Sequence, residues 1–167
     1  AFPFSVREVV LMGRAPYIGR FEFEREGDRS LADSALDSVG IFQLRDRMIN
    51  EISGGERQLV SIARALAQEP EVMILDEPAT FLDLKHKTEI LNILKKLRVE
   101  NNIAVICATH DVFSALMYFD EIIMIKDGMS FVSGRTEKVV TKENLSAVYD
   151  IEVNVRKENG NIIVIPA

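Results

Sequence analysis

The chain has 167 residues, of which 47% are apolar and 28% charged, a composition typical of a globular protein with a hydrophobic core. Its formal net charge of −6 argues against a surface that binds duplex DNA. The sequence contains no run of about 18 apolar residues, so it predicts no membrane-spanning helix.

The N-terminal part of the chain predicts three helices. A Ser-x-x-Glu capping box begins the first helix at Ser5, and Gly13 ends it. Residues 14–26 contain proline and glycine and are predicted to form a loop, whereas residues 28–39 show helical spacing. A second capping box at Ser53 begins a third helix, which a proline ends.

Two apolar runs of strand length follow, Val72–Leu75 and Ile103–Ala108. Runs without alternation are typical of parallel strands that are buried on both faces. Residues 84–100 have helical spacing, so this region predicts a strand–helix–strand unit. Cys107, the only cysteine, lies in the second run and is expected to be a buried structural thiol. Because a lone cysteine forms no internal disulfide, a reducing, cytoplasmic setting is favoured.

The C-terminal part predicts hairpins and short helices. Asp127 and Gly128 are a strong turn signal between two apolar segments, and a second hairpin is predicted around residues 158–161. Short helices are predicted over residues 112–119 and 143–149. Strands that alternate with helices in this way favour an α/β fold with a parallel sheet.

Two adjacent acids, Asp76 and Glu77, directly follow the first predicted strand. Ligands of parallel α/β sheets bind beyond the carboxyl ends of the strands. Since neighbouring side chains of a strand point to opposite sides, one acid can hold Mg²⁺ through water while the other faces an attacking water. A strand end with solvated acids is the plain alternative.

The glycine pair after Ser53 suggests an anion site at the start of the third helix. Gly54 and Gly55 leave backbone N–H groups unobstructed, and the helix dipole favours a terminal phosphate there. An ordinary capping box is the plain alternative. Two glycines in a first helical turn, however, cost roughly 1 kcal/mol each relative to alanine.

His110 follows the second predicted strand and is expected on the same rim as the acid pair. A histidine in that position can hydrogen-bond a phosphate or position an attacking water. The other histidine, His86, lies between two lysines and is expected at the surface.

Together these features resemble the ATP-binding-cassette (ABC) ATPases. Residues 52–58 are similar to the signature loop of that family, with isoleucine in place of its leucine and glutamate in place of its glutamine. Residues 72–78 resemble the Walker B strand. Residues 79–83 resemble the D-loop, in which Thr80 replaces the usual serine. The order of these motifs and the position of His110 also fit the family.

The resemblance implies an α/β fold with the parallel-sheet core of P-loop NTPases, as one partial nucleotide-binding domain over residues 1–167. Within it we expect a helical signature subdomain over 5–66, the core sheet over 70–126, and C-terminal hairpins with a helix over 127–167. The first segment would contain the signature loop, and the second would contain the Walker B acids and His110, the switch histidine of the family. The third segment would contain the C-terminal hairpins and helix.

The resemblance also implies roles for individual residues. Glu77 and His110 would be catalytic, and Asp76 would hold Mg²⁺ through water. The residues that would contact ATP bound to a second subunit are Ser53, Gly54, Gly55 and Glu56. Asp83 would be the aspartate of the D-loop.

A finer resemblance concerns the transported substrate. Residues 6–14 are similar to the segment after the Q-loop in importers of iron–siderophores, haem and cobalamin. The resemblance therefore implies a homodimeric, Mg²⁺-dependent ATPase with ATP as its substrate. It also implies attachment to transmembrane permease subunits at the cytoplasmic face of the cell membrane, with no nucleic-acid partner.

The sequence contains no Gly-x-x-x-x-Gly-Lys-[Ser/Thr] phosphate loop. The resemblance implies that this loop and the Q-loop precede Ala1 in a longer polypeptide. Because positioning and charge stabilisation supply nearly all of phosphoryl-transfer catalysis, the 167 residues alone are expected to bind ATP weakly and hydrolyse it negligibly.

Two other functions are open on the sequence alone. The C-terminal halves of SMC-type DNA-repair ATPases carry the same motifs without a phosphate loop. Their signature follows a long coiled coil, however, and residues 5–50 show no heptads. A non-catalytic interaction or regulatory protein could also keep a cassette relic, although the retention of both Glu77 and His110 argues against decay.

Overall fold

A computed structural model describes residues 4–19, 22–80, 82–158 and 161–167. The chain divides into two compact units, residues 1–108 and 109–167. Helices predominate in the first unit, and β-hairpins with short helices make up the second. None of the helices among the described residues combines the length and the apolar character that crossing a membrane requires.

Three helices that contact one another form the N-terminal part of the first unit: α1 (Val6–Leu11), α2 (Glu26–Ser38) and α3 (Gly54–Leu66). Both predicted capping boxes are formed, and α2 begins two residues before its expected start. Short 3₁₀ turns, Phe42–Leu44 and Ile49–Glu51, connect α2 to α3. The completely buried side chains of the three helices are Val6, Val10, Ala32, Leu36, Ile62 and Ala63.

The loop predicted for residues 14–26 is wrong in its first part, since Met12–Tyr17 forms a 3₁₀ helix. The first α-helix ends at Leu11, and Gly13 lies inside the 3₁₀ helix instead of ending α1. A Cβ atom added to Gly13 would lie 2.2 Å from the carbonyl oxygen of Arg64 in α3. Glycine is therefore required there by close backbone packing.

The strand–helix–strand prediction is confirmed. The strands β1 (Val72–Asp76) and β2 (Ala104–Ala108) pair in parallel, with Asp76 opposite Ala108 at their carboxyl ends. The intervening helix α4 (Leu84–Asn101) contacts β2. It buries four apolar side chains at helical spacing, which are Ile90, Leu91, Leu94 and Leu97.

The expectation that β1 and β2 are buried on both faces is wrong. Val72 and Ile74 of β1 are 49% and 75% exposed, and Ile106 of β2 is 54% exposed. In β1, Val72 and Ile74 alternate with Met73, which is buried. The face of the sheet that includes Val72 and Ile74 is therefore the exposed one. An apolar run does not reveal how many elements cover a sheet, because covering elements are distant in sequence.

Cys107 lies in β2 and is partly buried. Burial raises the pKa of its thiol to about 11, because the thiolate loses hydration there. The thiol is thus protonated at neutral pH, in agreement with the expected structural role.

The second unit contains α5 (Val112–Tyr118), the hairpin β3 (Glu121–Lys126) with β4 (Met129–Arg135), α6 (Thr136–Val139), α7 (Lys142–Tyr149) and the hairpin β5 (Val153–Glu158) with β6 (Asn161–Pro166). Both predicted hairpins are confirmed as antiparallel pairs, whereas α6 has no counterpart among the predicted elements. Asp127 and Gly128 have φ angles of 51° and 74°, as a tight hairpin turn requires. The turn residues 159 and 160 lie outside the described residues. The buried core is Met124, Val139, Val140, Leu145 and Val153.

Candidate functional site

The start of α3 is organised by a reciprocal pair of hydrogen bonds. The Glu56 N–H donates to Ser53 Oγ at 3.3 Å, and the Ser53 N–H donates to the Glu56 carboxylate at 2.7 Å. The hydrogen bonds from the side chain and backbone of Ser53 lower the pKa of Glu56. Glu56 is thus ionised at neutral pH, and its charge offsets part of the positive dipole at the helix start.

The two glycines of this turn have different surroundings. Gly54 is exposed, and a Cβ atom added to it would meet nothing within 4 Å. Gly55 is buried, and a Cβ atom there would lie 2.9 Å from Cδ2 of His86 in the first turn of α4. Gly55 is therefore packed against another element and Gly54 is not, and the expectation of unobstructed N–H groups at this helix start stays a prediction.

The acid pair lies where the sequence predicts, at the carboxyl end of β1. Asp76 is the last residue of the strand and is exposed. The Glu77 N–H donates to the carbonyl oxygen of Ala108 at 2.9 Å, which joins the ends of the two strands. Glu77 has a φ angle of 46°, in the left-handed region that a non-glycine residue rarely adopts. Backbone strain of this kind is concentrated at functional sites.

The carboxylate of Glu77 accepts a hydrogen bond from Thr80. The Thr80 Oγ1 lies 2.5 Å from Glu77 Oε2, and the Thr80 N–H donates to the Glu77 carbonyl oxygen at 3.2 Å. The sequence analysis identified Thr80 only as a replacement for the usual serine of the D-loop and did not predict this contact. Since serine and threonine share the hydroxyl, the replacement keeps the donor that orients Glu77.

Asp83 is the N-cap residue of α4 and contacts His86 through its carboxylate. Its carboxylate accepts a hydrogen bond from the His86 N–H at 2.9 Å and lies 2.8 Å from His86 Nδ1. The backbone and side-chain hydrogen bonds from His86 lower the pKa of Asp83. His86 is partly exposed, in line with the surface position expected, but its partners make it part of the candidate site. The aspartate three residues earlier is the capping signal that could have pointed to it.

His110 belongs to the second unit and comes two residues after the end of β2. Its carbonyl oxygen accepts a hydrogen bond from the Tyr149 hydroxyl at 3.5 Å. Asp111 then caps α5 by accepting hydrogen bonds from Phe113 and Ser114. The expectation that the imidazole of His110 shares a rim with the acid pair stays a prediction.

Across the described residues, no three His, Cys, Asp or Glu side chains are grouped so that they could hold a metal ion. Mg²⁺ in nucleotide enzymes is commonly held by one or two carboxylates, water and the phosphates of the substrate. The exposed carboxylate of Asp76 fits that role, since it can accept hydrogen bonds from ion-bound water.

The sequence and the fold are both similar to those of ABC transporter proteins. A family profile described as "ABC transporter" matches residues 4–80. The cobalamin import ATP-binding protein BtuD of Halobacterium salinarum is 37% identical over 168 residues, which cover 99% of this chain and 42% of the relative. The manganese transport system ATP-binding protein MntA of Synechocystis is 38% identical over 148 residues, which cover 89% of this chain and 56% of the relative.

Among solved structures, that of an inward-facing, metal-chelate type ABC transporter matches with a TM-score of 0.89 at 30% identity. The match covers 99% of this chain and 66% of that chain. It confirms the α/β fold class and favours a transporter over the DNA-repair ATPases. The chain spans 42% and 56% of the two sequence relatives, so each of them extends beyond the matched part. Motifs, fold and sequence similarity together show that the chain belongs to the ABC transporter ATPase family.

Proposed function

We propose that this chain forms the signature and Walker B part of an ATPase subunit that drives an ABC importer of metal chelates. The observation that carries the proposal is the end of β1, where Asp76 is exposed and Thr80 holds the Glu77 carboxylate. Two acids with different surroundings can perform the two tasks of ATP hydrolysis, metal binding and activation of water.

In this proposal Asp76 would hold Mg²⁺ through water, and the chemistry supplied by the ion would be neutralisation of charge on the phosphates of ATP. Glu77 accepts the proton of the attacking water, while the Thr80 hydroxyl, 2.5 Å away, fixes the direction of the carboxylate. His110 hydrogen-bonds the terminal phosphate or the attacking water. A phosphate loop must complete the site, so the 167 residues alone should release phosphate from ATP negligibly.

The start of α3 supplies the other half of the proposed site. Ser53 and Gly54, which has open space beside it, would present a hydroxyl and backbone N–H groups to an anion. In a homodimer these groups, together with Gly55 and Glu56, would contact ATP bound to the second copy. Asp83 of the D-loop would lie near that interface because it is linked to Gly55 through His86.

The subunit would work at the cytoplasmic face of the cell membrane, bound to transmembrane permease subunits and without a nucleic-acid partner. Relatives named for cobalamin and manganese import, and a metal-chelate type transporter of similar fold, support an importer of metals or their chelates. Uptake of labelled cobalamin, ferric siderophore, haem and free Mn²⁺ by cells with and without the gene distinguishes these substrates. Uptake of free Mn²⁺ alone would contradict the chelate assignment.

The proposal is tested by the variant Glu77→Gln in the full-length gene product. Glutamine keeps the size of the side chain but cannot accept the proton of water, so the rate of ATP hydrolysis should fall by roughly 10²- to 10⁴-fold. Binding of ATP, measured by fluorescence titration with Mg²⁺, should be retained. The control is Glu71→Gln, an exposed glutamate before β1, which should leave turnover unchanged. Near-normal hydrolysis by Glu77→Gln would remove Glu77 from the proposed role.

A further inference from the structure

The contact between Gly55 and His86 joins two segments that are 31 positions apart in the sequence, as 86 − 55 gives. A Cβ atom on Gly55 would lie 2.9 Å from His86 Cδ2 and 3.2 Å from Cγ. The edge of the imidazole therefore lies directly on the backbone of the first turn of α3. At Gly54, one residue earlier, the corresponding space is empty.

The imidazole ring is held from its other side by Asp83. The Asp83 carboxylate accepts hydrogen bonds from the His86 N–H and from Nδ1, so Nδ1 carries a proton. This arrangement turns the opposite ring edge, which includes Cδ2, toward Gly55. A single side chain thus spans the distance between the D-loop aspartate and the signature glycine.

We propose that His86 is a positioning residue, which sets the location of the Gly54–Gly55 turn relative to the D-loop aspartate Asp83. The inference rests on the proposed function, because it assigns His86 to the half-site that contacts ATP of the second copy. The Asp83–His86 pair is partly exposed, with side-chain exposures of 64% and 38%. Exposed pairs contribute little to stability, so the main effect of His86 should be on geometry.

The contact itself is tested by the imidazole ¹H–¹⁵N NMR spectrum of the full-length gene product, with the His86 signals assigned by their loss in His86→Asn. Gly55→Ala must displace the ring edge, so the Nδ1 signal of His86 should shift and its hydrogen should exchange faster. Gly54→Ala is the matched control and should leave the signal in place, since its Cβ meets open space. Equal effects of the two variants, or none, would overturn the proposal.

The functional part is tested with His86→Asn. The asparagine amide can replace Nδ1 as donor to Asp83, but it lacks the ring edge that contacts Gly55. In a Glu77→Gln background, which slows hydrolysis, the concentration for half-maximal ATP-dependent dimerisation should rise by about tenfold or more. The Kd of the monomer for ATP and the thermal unfolding midpoint should stay the same. Dimerisation like that of Glu77→Gln alone would overturn the positioning role.

The two experiments separate this inference from the proposed function. A gene product with native His86 that fails to bind ATP or to dimerise would contradict the proposed function, and the NMR comparison would still decide the contact. A gene product that dimerises with ATP but shows no response of His86 to Gly55→Ala would contradict the inference alone.

Discussion

At the level of single residues, Arg14 is a buried cation that has partners in several segments of the first unit. It is 7% exposed and donates to the Ala67 carbonyl oxygen at 2.9 Å, Glu69 at 3.0 Å and Asp28 at 3.1 Å. Its guanidinium also lies 4.2 Å from the centre of the Tyr17 ring. These contacts join the 3₁₀ helix to the C-terminal end of α3, where a cation is favoured by the helix dipole.

We expect Arg14→Ala to lower the free energy of unfolding by about 1–3 kcal/mol, because it removes the hydrogen bonds of a buried guanidinium to Ala67 and Asp28. Arg14→Lys should recover only part of the loss, since an ammonium does not reproduce the planar fork of donors. The control is Arg29→Ala, which breaks an exposed pair with Glu24 and should cost less than about 1 kcal/mol. Urea unfolding followed by circular dichroism measures all three. Equal losses for Arg14→Ala and Arg29→Ala would contradict the assignment.

At the scale of elements, α3 is held at both ends by segments that are remote in sequence. At its C-terminal end the Tyr17 hydroxyl donates to the Gln68 carbonyl oxygen at 2.7 Å, beside the Arg14 contacts. At its N-terminal end His86 lies against Gly55. The two ends of α3 are therefore in contact with the 3₁₀ helix and with α4, respectively.

The packing of the 3₁₀ helix on α3 can be tested by comparing Gly13→Ala, which adds a methyl group at the contact, with Gly27→Ala, which adds one in open space. The added methyl at Gly13 would lie 2.2 Å from a backbone oxygen of α3, so the elements must separate, at a cost of about 1–3 kcal/mol or more. At Gly27, in the first turn of α2, no atom lies within 4 Å, and alanine should stabilise the helix by up to about 1 kcal/mol. Thermal unfolding midpoints should move in opposite directions. A shift in the same direction would refute the packing argument.

At the scale of the whole molecule, acid should destabilise both units. The pKa is lowered for carboxyl groups that cap helices or accept hydrogen bonds at their starts, which include Glu8, Glu56, Asp83 and Glu143. A carboxyl group whose pKa is lower in the folded than in the unfolded protein stabilises the fold above its ordinary pKa of about 4. This contribution is lost as the pH falls below that value, because the group must then be protonated.

The unfolding midpoint should therefore change little between about pH 7 and 5 and decrease below about pH 4. Circular dichroism melts over this range measure the effect. Glu8→Gln, which removes one of these titrating groups, should make the fall less steep. A midpoint that is constant down to about pH 3 would show that the capping carboxylates do not stabilise the fold.

Local patterns allowed much of this fold and site to be predicted. The capping boxes at Ser5 and Ser53, the Asp127–Gly128 turn and the strand end at Asp76 depend on residues only a few positions apart. Residues close together in the chain therefore specify these elements, and the same holds for the motifs that indicate the family. Backbone hydrogen bonds and side-chain caps of this kind form between near neighbours, so a linear pattern contains the information for them.

Contacts between elements could not be predicted from local patterns. The 3₁₀ helix at Met12–Tyr17 packs on α3, His86 lies on Gly55, and one face of the β1–β2 sheet stays accessible. Each of these features joins or exposes residues whose partners are tens of positions away. Burial and contact depend on the three-dimensional path of the chain, which periodicity within one element does not describe.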